Sequence, residues 1–235
     1  MIKSIVEIEN LSFSYPDGTP ALKNISLKIA QGEKVGIVGP NGAGKSTFLL
    51  HLNGIYRGTG FVRIDGLDIA DKNLSVIRRK VGIIFQDPDN QLFMPTVFDD
   101  VAFGPINMQY DRERAVRASE EALQKVEMGY ASKRTSHHLS YGEKKRVSIA
   151  TVLSMSPELI AFDEPTSNLD PKARNHLMDL INKLERTIII ASHDLGMIYE
   201  ICGRTMVLDR GALVADGATA QILADKAFLK KHNLL

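Results

Sequence analysis

The 235-residue chain has a single cysteine, Cys202, so it can hold neither an internal disulfide framework nor a cysteine-rich zinc site. Such sparse thiol usage fits a reducing compartment. Excess charge is also missing. Twenty-nine Lys and Arg stand against 28 Asp and Glu, a formal net charge of +1, which gives no extended basic field for wrapping nucleic acid. Long apolar runs are absent too. The densest, from Thr187 to Ser192, is strand-length, whereas a membrane-spanning helix needs about 18 residues. The alternating start, Met1 to Glu9, lacks the continuous apolar stretch and small-residue cleavage site of a signal peptide. A soluble chain is expected, free to dock on a membrane protein. No internal repeat, low-complexity tract or domain-separating linker interrupts it.

What is present reads as strands and helices in a definite order. Alternating segments over Ser4–Asn10 and Ala21–Ile29 flank the turn-rich stretch Pro16–Pro20, a pattern of antiparallel β-structure. Lys34–Val38 and Val81–Phe85 read as buried strands and Gly60–Ile64 as a β-like piece. From about Asn90 to Ser156 the spacing becomes helical: Val116, Leu123 and Val126 within 111–126, then Val147, Ile149, Ala150 and Leu153 within 141–155. Strand and helix alternate again afterwards, with strands at Leu159–Phe162, Thr187–Ala191 and Thr205–Leu208 and helices at Pro171–Leu184 and Leu195–Ile201. Buried strands alternating with helices imply a parallel, helix-covered sheet, here with a helical insert.

Gly39 to Ser46 matches G-x-x-x-x-G-K-[ST]. Average composition puts a chance match in a chain this long at about one per cent, and a strand precedes the match while a helix follows. Glycines let backbone N–H groups turn around phosphate oxygens, and the helix presents its positive end to the same anion. Lys45 is placed to reach the terminal phosphates and the Ser46 hydroxyl to ligate Mg²⁺. A nucleoside triphosphate is the expected ligand. Further on, the apolar strand Leu159–Phe162 ends in Asp163-Glu164, at the carboxyl edge where α/β sheets bind ligands. There Asp163 suits the metal, and Glu164 suits a base that orients and deprotonates attacking water.

With these residues in place, the chain resembles the ATP-binding cassette ATPases along essentially its whole length. Gln86 resembles the Q-loop glutamine, Leu139-Ser140-Tyr141-Gly142-Glu143 the signature motif, and Asp163-Glu164 the metal carboxylate and catalytic base. Ser167-Asn168-Leu169-Asp170 resembles the D-loop, His193 the switch histidine, and Tyr15 the aromatic that stacks on adenine. The resemblance implies an α/β fold of the P-loop NTPase type, a mixed or parallel sheet core with an N-terminal antiparallel β subdomain and a helical insert subdomain. It implies one ATPase domain, with residues 1–88 and 157–235 as the nucleotide core and 89–156 as the helical part. Glu164, His193 and Gln86 would act in hydrolysis, and Ser46, Gln86 and Asp163 would hold Mg²⁺. ATP would be contacted by Tyr15, by Gly39, Pro40, Asn41, Gly42, Ala43, Gly44, Lys45, Ser46 and Thr47, and by Ser140, Gly142 and Asp170. Several residues have structural readings as well. Tyr15 also suits a hairpin face, Asp170-Pro171 a helix start, and Ser140-x-x-Glu143 a capping box. The signature departs from the usual Leu-Ser-Gly-Gly-Gln at Tyr141 and Glu143.

A narrower resemblance lies in the run from Phe85-Gln86 through Gln91-Leu92-Phe93 to Phe103-Gly104-Pro105. It is similar to energy-coupling-factor transporters, especially the cobalt and nickel import ATPases. That implies a second ATPase subunit, identical or paralogous, a membrane scaffold and a substrate-capturing membrane subunit, on the cytoplasmic face of the membrane. Leu92, Phe93, Val97, Val101 and Phe103 would either pack the insert or, if some stand exposed, form the coupling surface. Importers of biotin or another vitamin are the alternative, and a soluble cassette acting on nucleic acid or ribosomes is the alternative of another class. The interval from Lys45 to Ser140 has no sustained heptads for a long coiled coil.

Overall fold

The computed structural model describes residues 3–235. They form two compact units. One takes the residues up to Ile83 with Leu159–Glu164 and Glu185–Leu235, and the other takes Ile84–Glu158 with Pro165–Leu184.

In the first unit β1 (Ser4–Ser14) and β2 (Pro20–Ala30) form an antiparallel hairpin. β1 runs past the expected end at Asn10 because Asn10 is a bulge. Its φ is 55°, the register shifts between Ile8 and Leu11, and its N–H donates to Ser26 Oγ at 2.8 Å. An Asn at positive φ reads as a turn in sequence, yet here the ladder resumes beyond it. Of the alternation expected from Met1, the first two residues lie outside the described part. β3 (Lys34–Val38) and α1 (Lys45–His51) follow, then β4 (Thr59–Ile64) and β5 (Leu67–Asp68), which complete a four-stranded sheet in the order β2-β1-β4-β5.

The second sheet carries the core. After α2 (Leu74–Lys80) come β6 (Val81–Ile84), β7 (Leu159–Asp163), β8 (Thr187–Ala191), β9 (Arg204–Asp209) and β10 (Ala212–Ala218). With β3 they give the order β10-β9-β3-β8-β7-β6. β3 is parallel to β8 and β9, β7 is parallel to β8, and β10 is antiparallel to β9. Val35, Ile37, Val38, Leu159–Phe162 and Ile188–Ala191 are all buried. Unbroken apolar runs are what strands covered on both faces require, and each fully buried Ile or Leu contributes roughly 1.5–3 kcal/mol. The register sets Ile37 and Asp163 on either side of Ala191. The segments leaving β3, β7 and β8 therefore emerge at one carboxyl edge. This is the mixed sheet with an antiparallel N-terminal sheet that the sequence implied.

The second unit is helical: α3 (Val97–Asn107), α4 (Arg112–Lys125), α5 (Tyr141–Leu153) and α6 (Pro171–Asn182). Thr96, Asp111, Ser140 and Asp170 cap them, each accepting a bond from a first-turn amide, worth about 1 kcal/mol apiece. The three helices α3, α4 and α5 pack on one another and α5 packs on α6. Asp100, buried in α3, accepts the amides of Phe93 and Met94 at 2.9 Å each and pins the preceding loop. Burial pushes its carboxyl up. Among the described residues no helix is long and apolar enough to cross a membrane. In the first unit α7 (Leu195–Ile201), α8 (Thr219–Ala224) and α9 (Lys226–Lys231) complete the chain.

Candidate functional site

The glycine loop leaves β3 and enters α1 with its shape fixed by packing. A Cβ on Gly39 would lie 2.3 Å from Leu208 O, and one on Gly44 would lie 2.6 Å from Ala21 O. Gly44 also has φ 102°. It is the N-cap of α1 and has no side chain to cap with, so the first-turn amides of α1 need an acceptor from elsewhere. Ala43 N–H donates to Pro40 O at 3.1 Å and Gly211 N–H donates to Ala43 O at 3.1 Å, closing the loop onto the neighbouring turn. Asn41, Gly42 and Ser46 are exposed, while Gly39, Ala43, Lys45 and Thr47 are buried. A Gly44→Ala substitution forces a side chain into a left-handed backbone against a carbonyl. It is expected to cost at least about 2 kcal/mol, a Tm drop of roughly 4–8 °C for a chain of this size. An unshifted thermal melt would show that the loop can relax.

Lys45 folds back into this loop. Its ammonium donates to Gly39 O at 2.7 Å and to Pro40 O at 3.4 Å, and stands 3.8 Å from Glu164 Oε1. Both side chains are more than nine-tenths buried. Glu164 follows β7 in the left-handed region, φ 44°, with its N–H donating to Ala191 O at 2.8 Å. For a non-glycine residue this backbone is uncommon and strained, a feature that gathers at functional sites. Its Oε2 accepts Ser192 Oγ–H at 3.1 Å and His193 N–H at 3.3 Å, and lies 2.8 Å from His193 Nδ1. With the proton on Nδ1 that ring donates to the carboxylate. The rest of the imidazole is exposed, so Nε2 is presented outward.

The first unit thus brings Gly39–Thr47, Asp163, Glu164 and His193 to one sheet edge. Tyr15 joins them through a hydrogen bond between its hydroxyl and Thr47 Oγ1, 2.6 Å. Its ring meets Phe13 and Tyr56 edge-on at 5.4 and 5.9 Å between centroids. Two residues here escaped sequence reasoning. Ser192 has only its place between β8 and His193 to signal it. His51, the last residue of α1, is buried against Phe13 with rings 4.9 Å apart, and its Nδ1 donates to Thr47 O at 2.8 Å. Burial pushes that imidazole down, so it stays neutral and belongs to the support of Tyr15 and Thr47.

Gln86, Ser140, Gly142 and Asp170 belong to the second unit. Gln86 is exposed, and its backbone carbonyl accepts Lys145 Nζ at 2.6 Å and Tyr141 OH at 3.3 Å. The start of α5 therefore grips the loop after β6. Lys144 adds an ion pair with Asp89 at 2.7 Å. Ser140 caps α5 in a reciprocal capping box with Glu143. Gly142 faces α6, where a Cβ would come within 3.2 Å of the Ala173 methyl, so close helix packing alone favours glycine. Asp170 Oδ1 accepts the amides of Lys172 and Ala173 at 2.9 Å each. It caps α6, and its backbone lies in the segment that resembles a D-loop.

Known proteins share the family and the fold of this chain. The ABC transporter family matches residues 22–167. The energy-coupling factor transporter ATP-binding protein EcfA of Methanothermobacter thermautotrophicus is 46% identical over 236 residues, 98% of this chain and 76% of that protein. Among solved structures, CbiO1 from Clostridium perfringens, part of the ABC transporter complex CbiONQ, is similar with a TM-score of 0.86 and 37% identity, over 99% of this chain and 95% of that one. A dimeric ATP-binding cassette in a post-hydrolysis state, bound to ADP and Pi, is similar with a TM-score of 0.82 and 31% identity, over 91% and 98%.

Proposed function

The chain belongs to the ABC transporter family, and from that premise we propose that it is the ATP-hydrolysing subunit of an energy-coupling-factor type importer, with divalent cobalt or nickel as cargo. One observation carries the hydrolytic part of this reading: the glycine loop, Lys45 and the Glu164–His193 pair stand together at one sheet edge. Lys45 is held by the chain's own carbonyls and carboxylate, oxygens that the phosphates of ATP would replace. Glu164 is aimed by Ser192 and His193, as a base that must orient one water molecule needs to be. His193 holds Glu164 through Nδ1 and turns Nε2 toward the terminal phosphate. Tyr15 offers its ring to adenine, and its bond to Thr47 ties that ring to the phosphate loop.

Mg²⁺ suits the donor set. Ser46 offers a hydroxyl on α1 and Asp163 a carboxylate at the end of β7, and these two elements pack together. Mg²⁺ takes one or two such protein oxygens and fills its other positions with water and substrate phosphates. When bound it neutralises phosphate charge. Gln86 as a further Mg²⁺ ligand, in a single ATPase domain, is carried by the resemblance of its segment to the Q-loop.

Two copies, or this chain and a paralogue, close on two ATP molecules between the glycine loop of one and Ser140, Gly142 and Asp170 of the other. Hydrolysis reopens them. The movement passes to a membrane scaffold through the loop after Gln86 and α3. In support, the apolar residues of that stretch divide into two sets. Leu92, Val97 and Val101 are buried, whereas Phe93 and Ile106 are more than 60% exposed and Phe103 is 42% exposed. The Phe93 and Phe103 rings meet edge-on at 5.0 Å, so the exposed set is a built apolar patch of the kind that marks a partner site. On this reading the chain works on the cytoplasmic face of the membrane, bound to the scaffold and the cargo-capturing subunit, with no part for nucleic acid.

The test uses the Glu164→Gln chain as bait with ATP in solubilised native membranes. Co-purification of a membrane scaffold with a small metal-binding membrane subunit is expected. Recovery of soluble or nucleic-acid-bound partners alone would keep the motor and overturn the transport role.

A further inference from the structure

The Ser140 hydroxyl is already in use. It donates to Glu143 Oε2 at 2.7 Å, and the Ser140 N–H donates to the same oxygen at 2.7 Å. The other carboxylate oxygen, Oε1, accepts the hydroxyl of Tyr130, which reaches across from the turn that follows α4. We propose that Glu143, held in place by Tyr130, is a positioning residue that sets how tightly Ser140 grips the triphosphate on the opposite subunit, by engaging the Ser140 hydroxyl in a competing hydrogen bond. This rests on the reading above that Ser140 meets nucleotide bound by a second ATPase subunit.

The competition follows from the count of protons. A serine hydroxyl has one proton to give. While that proton points at Glu143, Oγ shows only lone pairs to an approaching phosphate, and like meets like. Contact requires the proton to turn away, leaving the carboxylate with the Ser140 amide and Tyr130. Charge acts in the same direction. Glu143 sits at the third position of α5, where a carboxylate already answers the positive end of the helix, the same end that would attract an incoming anion. Its partners, Tyr130 and Ser140 first, hold its carboxyl down to about 2, so it is ionised throughout the physiological range. The Arg134 guanidinium partly offsets its charge. A capping box accepts Glu or Gln at this position, so the amide keeps the helix start while removing the charge. The one amide oxygen still takes the Ser140 N–H and hydroxyl, but as a neutral and therefore weaker acceptor, and the NH₂ beside Tyr130 cannot accept its hydroxyl.

In the Glu164→Gln background, Glu143→Gln is expected to lower the ATP concentration for half-maximal dimer formation by about tenfold, the size of one charge-assisted hydrogen bond. Light scattering against ATP reads it. Tyr130→Phe, a surface change that leaves the helix cap intact, shifts the midpoint the same way by less. In the hydrolysing chain Glu143→Gln lowers KM for ATP and lowers kcat with it, because the tighter pair reopens more slowly. A weakened helix start would raise KM instead. Ser140→Ala serves as the control on the underlying reading and is expected to abolish ATP-dependent dimers. If it does while Glu143→Gln and Tyr130→Phe leave the midpoint unmoved or raise it, the role of Glu143 is overturned and the trans contact stands. If Ser140→Ala dimerises normally, the trans contact itself is overturned.

Discussion

Replacing Glu164 by Gln is expected to lower steady-state ATP hydrolysis by about 10²–10⁴-fold, the usual worth of a positioned general base, while ATP-dependent dimers persist. The geometry supports both halves. The carboxylate oxygen that accepts Ser192, the His193 amide and the His193 ring would be replaced by a carbonyl or an NH₂ of the same shape. A side-chain carbonyl can still take hydrogen bonds from those donors, so the loop keeps its form. It cannot take a proton from water at neutral pH. The loss therefore falls on kcat and spares nucleotide binding. Malachite-green phosphate release measures the first, and gel filtration with ATP measures the second. Turnover within about threefold of the unsubstituted chain would remove Glu164 from the role of base. Lost dimers with normal melting would assign it to nucleotide binding instead.

Lys45→Ala is expected to weaken ATP binding by about 10–100-fold. A hydrogen bond to a charged group is worth about 1.5–3 kcal/mol, each 1.4 kcal/mol is tenfold in affinity, and this ammonium has no neighbour of its own sign to replace it among the loop residues Gly39–Gly44. The fold pays a smaller penalty: Gly39 O and Pro40 O lose a donor, and Glu164 loses the cation 3.8 Å away. Since Glu164 is buried, part of any Tm loss comes from leaving its charge less compensated. Titration with a fluorescent ATP analogue separates the two, because a folded variant with undiminished affinity would overturn the assignment of the phosphate loop. A variant that melts far below the parent is compared with Lys45→Met, which retains the buried alkyl stem.

Much of the fold was legible in the residues because it depends on local pattern. Thr187–Ala191 and Leu195–Ile201 occur where periodicity put them, and the capping residues Asp111, Ser140 and Asp170 mark three helix starts. The reading faltered where tertiary context overrode local signals. β1 continues through Asn10 because a bulge can absorb a left-handed residue that usually ends a strand. Helix α3 carries Gly104-Pro105, a pair that reads as a stop. It holds because the Val101 carbonyl, which Pro105 has no N–H to reach, accepts the Ser154 hydroxyl at 2.9 Å instead, and the buried helix face is packed by α4 and α5. His51 had no pattern to announce it, and Ser192 only its place between β8 and His193.

By itself the sequence determined the phosphate loop, the strand-borne carboxylates and the order of motifs, because each is a matter of residue type at fixed spacing along one stretch of chain. Only the tertiary structure decided that Ser192 and His193 converge on Glu164, that Phe93 and Phe103 stand exposed while Leu92 and Val101 are buried, and that the Ser140 hydroxyl is engaged by Glu143 under the hand of Tyr130. Those outcomes join residues from different elements or select one side of a packed helix. Distances between such residues are set by how elements pack against one another, which no local spacing encodes.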